Sequence, residues 1–113
     1  MPTFERGTVV RVPFPYTDRP IRQRRPALVV SAGGLGESGQ LLWVVMITSA
    51  ENRRWPGDID LIEAHAAVGL PAPSLVRPTK IATIEAEHAE RLGKVGADIV
   101  RQIETTLRHQ LGL

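Results

Sequence analysis

The chain has 113 residues and a net charge of +2, with 42% hydrophobic residues, 23% charged residues and no cysteine. The length allows one domain, which we place at residues 1–113, and the composition excludes a disordered or fibrous protein. The lack of cysteine excludes disulfides, thiolate zinc sites and cysteine nucleophiles. No apolar run is long enough for a membrane-spanning helix or a secretory signal, so we expect a small cytoplasmic protein.

Short strands are predicted along most of the chain, because runs of β-branched and apolar residues are separated by frequent prolines and glycines. In chain order the predicted strands cover residues 8–12, 27–31, 41–47, 58–62 and 75–84. Pro78 predicts a break or an edge in the last of them, because proline cannot donate to a central ladder. A single helical turn is predicted at residues 64–68, closed by Gly69.

One helix is predicted near the C-terminal end, over residues 97–111. Its apolar side chains, at positions 99, 100, 103, 107 and 111, fall on one face, and Gly112 follows as a stop signal. Five or more short strands with one closing helix predict a mainly β fold. We expect a small, strongly curved barrel-like sheet with a C-terminal α-helix.

Arginine supplies twelve of the fourteen basic residues, and residues 1–55 carry a net charge of +4 against −2 for residues 56–113. Arg19, Arg22, Arg24 and Arg25 lie close together in a loop punctuated by proline. A guanidinium binds phosphate oxygens through a planar fork of donors and stacks on flat rings. The cluster therefore indicates an anionic partner such as nucleic acid, and an ordinary solvated loop explains it equally well.

The segment Gly34–Gly39 matches the glycine pattern of dinucleotide-binding sites, G-x-G-x-x-G. In such sites the last glycine opens a helix whose N-terminus faces the pyrophosphate. Here an apolar run, residues 41–47, follows directly and predicts a strand. We therefore interpret the glycines as a hairpin connection and expect no cofactor.

The three histidines, His65, His88 and His109, are far apart, and none has a partner at helical metal-binding spacing. Glu85, Glu87 and His88 could together supply oxygen and nitrogen ligands. An exposed turn after a strand explains this group better, so no metal site is expected.

The strongest candidate for catalysis combines Arg25 with Thr48. Arg25 stands where the basic loop becomes the buried strand 27–31, and Thr48-Ser49 ends the buried strand 41–47. If these strands pair, their ends border one groove, where a fixed cation and a hydroxyl can stabilise charge on a phosphoryl oxygen. From spacing alone, a surface arginine beside an ordinary turn explains the residues at least as well.

Several segments, taken in order, resemble the MazF/PemK/Kid toxins of type II toxin–antitoxin pairs. The matching pieces are Arg6–Val10, Arg25–Ser31, Ile47–Ser49, Trp55-Pro56 and Ser74–Ile84, with Gly93 or Gly96 before the helix. The resemblance covers nearly the whole chain and rests on the ordered set rather than on any one piece.

This resemblance implies an SH3-like barrel of the CcdB/Kid/MazF type, a homodimer, and a metal-independent endoribonuclease that cuts single-stranded RNA through 2′-hydroxyl attack. By position, Arg25 and Thr48 correspond to the catalytic arginine and hydroxyl of that family. The expected substrate-binding residues are Arg22, Arg24, Ser49, Arg53, Arg77 and Thr79. Thr79 stands where some members carry an aspartate, and the loop before Arg25 offers only Asp18 and Gln23 in place of the histidine or glutamate of some relatives. The general base is therefore left unassigned.

Two alternatives come from other functional classes. One is a toxin of the same fold that poisons DNA gyrase by binding and cuts nothing; the presence of Arg25-Pro26 and Thr48-Ser49 argues against it. The other is a non-catalytic nucleic-acid-binding barrel, which would tolerate loss of Thr48. For the toxin, the expected partner besides RNA is an antitoxin whose acidic flexible segment binds the arginines.

Overall fold

The structure, a computed structural model, describes residues 4–15 and 23–113. Within these residues there are six strands, one 3₁₀ turn and one α-helix. They are β1 (Thr8–Pro13), β2 (Arg24–Val29), β3 (Leu41–Ser49), β4 (Ile59–Leu61), β5 (Ser74–Glu85), the 3₁₀ turn Ala86–His88, β6 (Glu90–Lys94) and α1 (Ala97–Leu111). No helix in this part of the chain is long and apolar enough to cross a membrane.

All six strands form one antiparallel sheet in the order β4-β5-β3-β2-β1-β6. Side chains alternate between its two faces, and both faces are buried over much of their area. One face, called the helix-side face below, packs Val9, Leu28 and Val45 against Ile103 of α1. The other face, called the outer face below, carries a second apolar cluster. Its members include Phe4, Val10, Val12, Phe14, Ala27, Val29, Leu42 and Val44.

The predicted mainly β fold with a C-terminal helix is confirmed, and the bounds of α1 agree with the prediction. Two details differ. β6 was not predicted, because its residues, Glu90–Lys94, carry three charges and a glycine and lack a hydrophobic alternation. β5 continues past Pro78, because the pairing with β3 jumps from Val45↔Ile81 to Met46↔Arg77 and leaves Pro78 in a bulge, where no ladder hydrogen bond is needed.

The segment after β4 contains the predicted single turn, with the amide of Val68 donating to the carbonyl of Ala64 at 3.2 Å. It ends at Gly69, whose φ of 86° favours glycine. The backbone there touches β6 directly: a Cβ on Gly69 would collide with the Leu92 carbonyl, and one on Gly93 would collide with the Val68 carbonyl. The two glycines thus let the β4 end of the curled sheet approach its β6 end.

Gly93→Ala is therefore expected to lower the free energy of unfolding by about 1–3 kcal/mol, since backbone must move to admit the methyl group. Gly96 is the control, because it lies three residues away with no atom within 4 Å of an added Cβ. Gly96→Ala should cost less than about 1 kcal/mol, the loss of a favourable N-cap residue. Urea unfolding of the two variants measures the difference, and equal losses would mean that the close approach does not constrain the fold.

Candidate functional site

Arg25 and Thr48 lie on the same face of the sheet, at neighbouring strand ends. Ala27 pairs with Met46, and both belong to the outer-face cluster. Because side chains two residues apart along a strand share a face, Arg25 and Thr48 also point to the outer face. Continuing the same register by two residues sets Arg25 opposite Thr48, just beyond the last hydrogen-bonded pair of β2 and β3. The two strands therefore pair, as the predicted groove requires.

The Arg25 guanidinium is exposed, and its Nη2 donates a hydrogen bond to Gln23 Oε1 at 2.6 Å. Its backbone is held in β2 by pairing with Val12 of β1. The strand thus fixes the position of the Arg25 backbone, and the hydrogen bond to Gln23 restrains the guanidinium. In the described part of the chain no carboxylate pairs with this guanidinium.

The Thr48 hydroxyl is half-buried and accepts a hydrogen bond from Asn52 Nδ2 at 2.7 Å. This bond leaves the hydroxyl hydrogen free to be donated to a ligand oxygen. Ser49 is exposed, and its hydroxyl accepts from the amide of Glu51 at 3.1 Å, which closes a turn. Asn52 was missed by the sequence analysis, because nothing in its spacing from Thr48 distinguishes it from any polar loop residue.

Arg77 forms a buried ion pair with Asp58. Nη2 of Arg77 lies 2.9 Å from Asp58 Oδ2, and the side chains are only 7% and 1% exposed. Nε of Arg77 also donates to Oδ1 of Asp58, at 3.1 Å, so the fork binds both carboxylate oxygens. This placement differs from the expectation that Arg77 binds a flanking phosphate. Because the Arg77 guanidinium is buried and ion-paired, it stabilises the neighbouring structure instead.

The supported element is the loop between β3 and β4. Arg77 Nη2 donates to the carbonyl of Arg53 at 2.8 Å, and its guanidinium carbon lies 4.2 Å from the ring centre of Trp55. Asp58 accepts from the amide of Trp55 at 2.8 Å and donates its own amide to the Trp55 carbonyl at 3.1 Å. The turn between them contains Pro56 and Gly57, whose φ of 89° is the left-handed conformation required at that position. The ion pair therefore fastens this loop across the outer face of β5.

The remaining predicted substrate-binding residues are distributed unevenly. Arg24 points away from Arg25, because adjacent strand residues face opposite sides, and its guanidinium donates to the carbonyls of Arg11 and His88, each at 3.3 Å. Arg53 is exposed on the β3–β4 loop, and Thr79 is exposed in the β5 bulge. Arg22 and Asp18 lie outside the described residues. The structure thus brings Arg25 and Thr48 to one face, and the same alternation sends Arg24 and Ser49 to the other, while Arg53 stands on the loop that Arg77 holds.

The glycine pattern at 34–39 is a hairpin connection, as predicted. Leu35 bridges to Leu41, and the next residues form β3 rather than a helix. Glu85, Glu87 and His88 surround the 3₁₀ turn, with His88 Nε2 at 3.5 Å from a Glu85 oxygen and 3.8 Å from a Glu87 oxygen. All three are exposed to solvent, as in an ordinary surface turn.

The arrangement on the outer face can bind and polarise a phosphodiester. An exposed cation and a hydroxyl on adjacent strand ends can contact two oxygens of one phosphoryl group. Because both side chains originate from a hydrogen-bonded sheet, little reorganisation is needed when negative charge develops on those oxygens.

Comparison with known proteins agrees with this fold. A family model described as PemK-like, MazF-like toxin of type II toxin–antitoxin system matches residues 5–111. No curated protein matches the chain at a significant level. Among solved structures, MazF from Deinococcus radiodurans is 20% identical, with both chains fully covered and a TM-score of 0.77. An endoribonuclease in complex with its cognate antitoxin, from a mycobacterial species, is 23% identical over 100% of this chain and 97% of its own, with a TM-score of 0.73.

Proposed function

This chain belongs to the PemK-like, MazF-like toxins of type II toxin–antitoxin systems, and we propose that it is an endoribonuclease that cuts single-stranded RNA without a metal ion. The observation that carries the proposal is the exposed Arg25 guanidinium beside the Thr48 hydroxyl at neighbouring strand ends of one face. A structural relative with the same fold is described as an endoribonuclease. A gyrase-binding toxin does not need this pair, and a simple nucleic-acid-binding barrel would use the arginine but not the Thr48 hydroxyl.

In the proposed reaction, a ribose 2′-hydroxyl attacks its own phosphate. The new O2′–P bond forms as the P–O5′ bond to the next nucleotide breaks; the 2′-hydroxyl proton passes to water and O5′ takes up a proton from water, which leaves a 2′,3′-cyclic phosphate and a free 5′-hydroxyl. Arg25 stabilises the charge that develops on the phosphoryl oxygens, which suits a group that scarcely releases protons. Thr48 donates a hydrogen bond to one of those oxygens, while Asn52 fixes the rotation of its hydroxyl.

The proposal is tested by incubating the purified protein with a long single-stranded RNA in EDTA and mapping the new ends. We expect cuts at a short recurring sequence. Binding without cuts would favour the non-catalytic barrel. No binding to RNA, together with inhibition of DNA gyrase, would favour the gyrase poison.

Thr48→Val keeps the shape of the side chain and removes the hydroxyl. We expect turnover to fall about 10- to 100-fold with RNA affinity nearly unchanged, because the lost hydrogen bond acts mainly on the developing charge. Ser49→Ala is the matched control and should have a smaller effect, since its hydroxyl closes a turn. Single-turnover cleavage and filter binding measure the two quantities. Weaker binding with unchanged turnover would make Thr48 a docking residue.

We further propose that the toxin acts in the cytoplasm on mRNA, as a homodimer, and that its antitoxin inserts an acidic flexible segment along the same groove. The exposed Arg25 and Arg53 would attract such a segment as they attract RNA. Relatives solved as MazE–MazF complexes, including one from Deinococcus radiodurans that is 23% identical with a TM-score of 0.75, support an antitoxin partner.

Competition between RNA and antitoxin follows from a shared groove. The antitoxin should displace an RNA that carries an uncleavable 2′-deoxy residue at the cut site, and both associations should slow as salt rises. Size-exclusion chromatography of the three components measures the competition. A stable ternary complex would place the antitoxin elsewhere on the toxin.

A further inference from the structure

An open hollow of about 470 Å³ lies between the β3–β4 loop and the bulge of β5. Its lining residues are Arg53, Arg54, Trp55, Pro56 and Thr79. The volume falls within the range of about 300–1,000 Å³ typical of small-ligand sites. The catalytic pair, Arg25 and Thr48, does not line it, so the hollow is a separate feature of the surface.

The ring of Trp55 is held rigidly at this hollow. The buried Arg77 guanidinium packs 4.2 Å from its ring centre, and Asp58 fixes its backbone amide at 2.8 Å. Asp58 and Arg77 also bind each other, so the support is itself anchored. An aromatic ring that is already fixed loses little conformational entropy when a ligand stacks on it.

Basic side chains surround the Trp55 ring. Arg53 and Arg54 are exposed at the hollow, and among residues 4–15 and 23–113 no carboxylate pairs with either guanidinium. The Lys80 ammonium lies 5.4 Å from the Trp55 ring centre. An aromatic platform surrounded by cations is suited to a ligand that has both a flat ring and a negative charge, as a nucleotide has.

The hollow lies at the border between the two faces: its Thr79 hydroxyl accepts a hydrogen bond from Gln110 Nε2 of α1 at 3.0 Å, while its Arg53 and Trp55 are held by Arg77 from the outer face. Arg77, whose side chain reaches Arg53 and Trp55, pairs with Met46, two residues before Thr48 on the same face. Two residues along a strand correspond to roughly 7 Å. A strand bound at Arg25 and Thr48 can therefore continue over the β3–β4 loop into the hollow.

We propose that the hollow binds one base of the nucleic-acid strand flanking the cleaved phosphate, stacked on Trp55, with the adjoining phosphates on Arg53 and Arg54. This subsite rests on the proposed function and adds a place where affinity is gained by stacking. Stacking accepts every base, so the subsite strengthens binding and leaves sequence selection to other contacts.

The chain has two tryptophans, which makes a direct test feasible. Trp43 is 49% exposed and lies on the helix-side face of β3, away from the hollow. In Trp43→Phe the remaining indole is Trp55. The probe is a mixed-sequence single-stranded oligodeoxynucleotide, which lacks the 2′-hydroxyl and cannot be cut by the proposed reaction. We expect it to quench the Trp55 fluorescence saturably, whereas in Trp55→Phe the fluorescence of Trp43 should stay unchanged.

Affinity provides the second measurement. Trp55→Ala should weaken binding of the oligodeoxynucleotide between about 5-fold and 150-fold, while Trp55→Phe keeps most of it. Unchanged Trp55 fluorescence on binding, or wild-type affinity in Trp55→Ala, would overturn the subsite. Quenching by an acidic peptide but not by the oligodeoxynucleotide would overturn it as well and assign the hollow to a protein partner. Because the probe is uncleavable, these results are independent of whether the protein cuts RNA.

Discussion

The Arg25→Ala variant is expected to lose RNA cleavage by at least about 100-fold while remaining folded. Removing one fixed donor to a developing oxyanion costs roughly 10²- to 10³-fold in comparable sites. The fold should survive, because the side chain is exposed and its hydrogen bond, to Gln23, lies at the surface. Arg25→Lys should also fail largely, since an ammonium cannot make the two-pronged contact. Single-turnover cleavage with circular dichroism checks both expectations.

Arg24→Ala is the control for this experiment. The two arginines are adjacent in sequence and alike in exposure, yet β2 points them to opposite faces of the sheet. Arg24 binds backbone carbonyls of Arg11 and His88, so its loss should leave most of the cleavage intact. Cleavage by Arg25→Ala at the wild-type rate would show that the site is misplaced, and equal losses in both variants would indicate a general electrostatic effect.

Asp58→Ala is expected to give the largest loss of stability, about 3–5 kcal/mol, because it leaves the Arg77 charge buried without its partner. Asp60→Ala, two residues away and exposed, should cost less than about 1 kcal/mol. Chemical denaturation measures both. If burial of an unpaired charge causes the loss, the double variant Asp58→Ala/Arg77→Leu should recover part of it, whereas no recovery would assign the loss to the turn that Asp58 closes at Trp55.

The main features of the fold were predictable because they depend on local patterns. The apolar runs at 27–31 and 41–47 predict buried strands whichever partners they take, and the apolar stripe of α1 predicts a helix packed on a sheet. β6 depends on tertiary context instead. It pairs with β1, far away in sequence, and its Gly93 packs closely against the backbone at Val68 and Gly69, which no local pattern reveals.

The candidate site was predictable only in part. Arg25 and Thr48 stand next to recognisable strands, so their place at the strand ends followed from the sequence. Alternation sends Arg24 to the opposite face only because Arg24 and Arg25 are part of β2. The prediction began that strand at residue 27 and left both arginines in a loop, so it could not separate them. The burial of Arg77 depends on Asp58, nineteen residues away in sequence. Sequence spacing gives no warning of such a pair, although a buried arginine always requires an acceptor.

The chemistry of the product ends tests the central claim most directly. A short RNA that contains one mapped cleavage site is incubated with the protein in EDTA, and the fragments are weighed by mass spectrometry. The account predicts a 2′,3′-cyclic phosphate on one fragment and a 5′-hydroxyl on the other, with no such fragments from Arg25→Ala. A 3′-hydroxyl with a 5′-phosphate, or an RNA that stays intact, would contradict it.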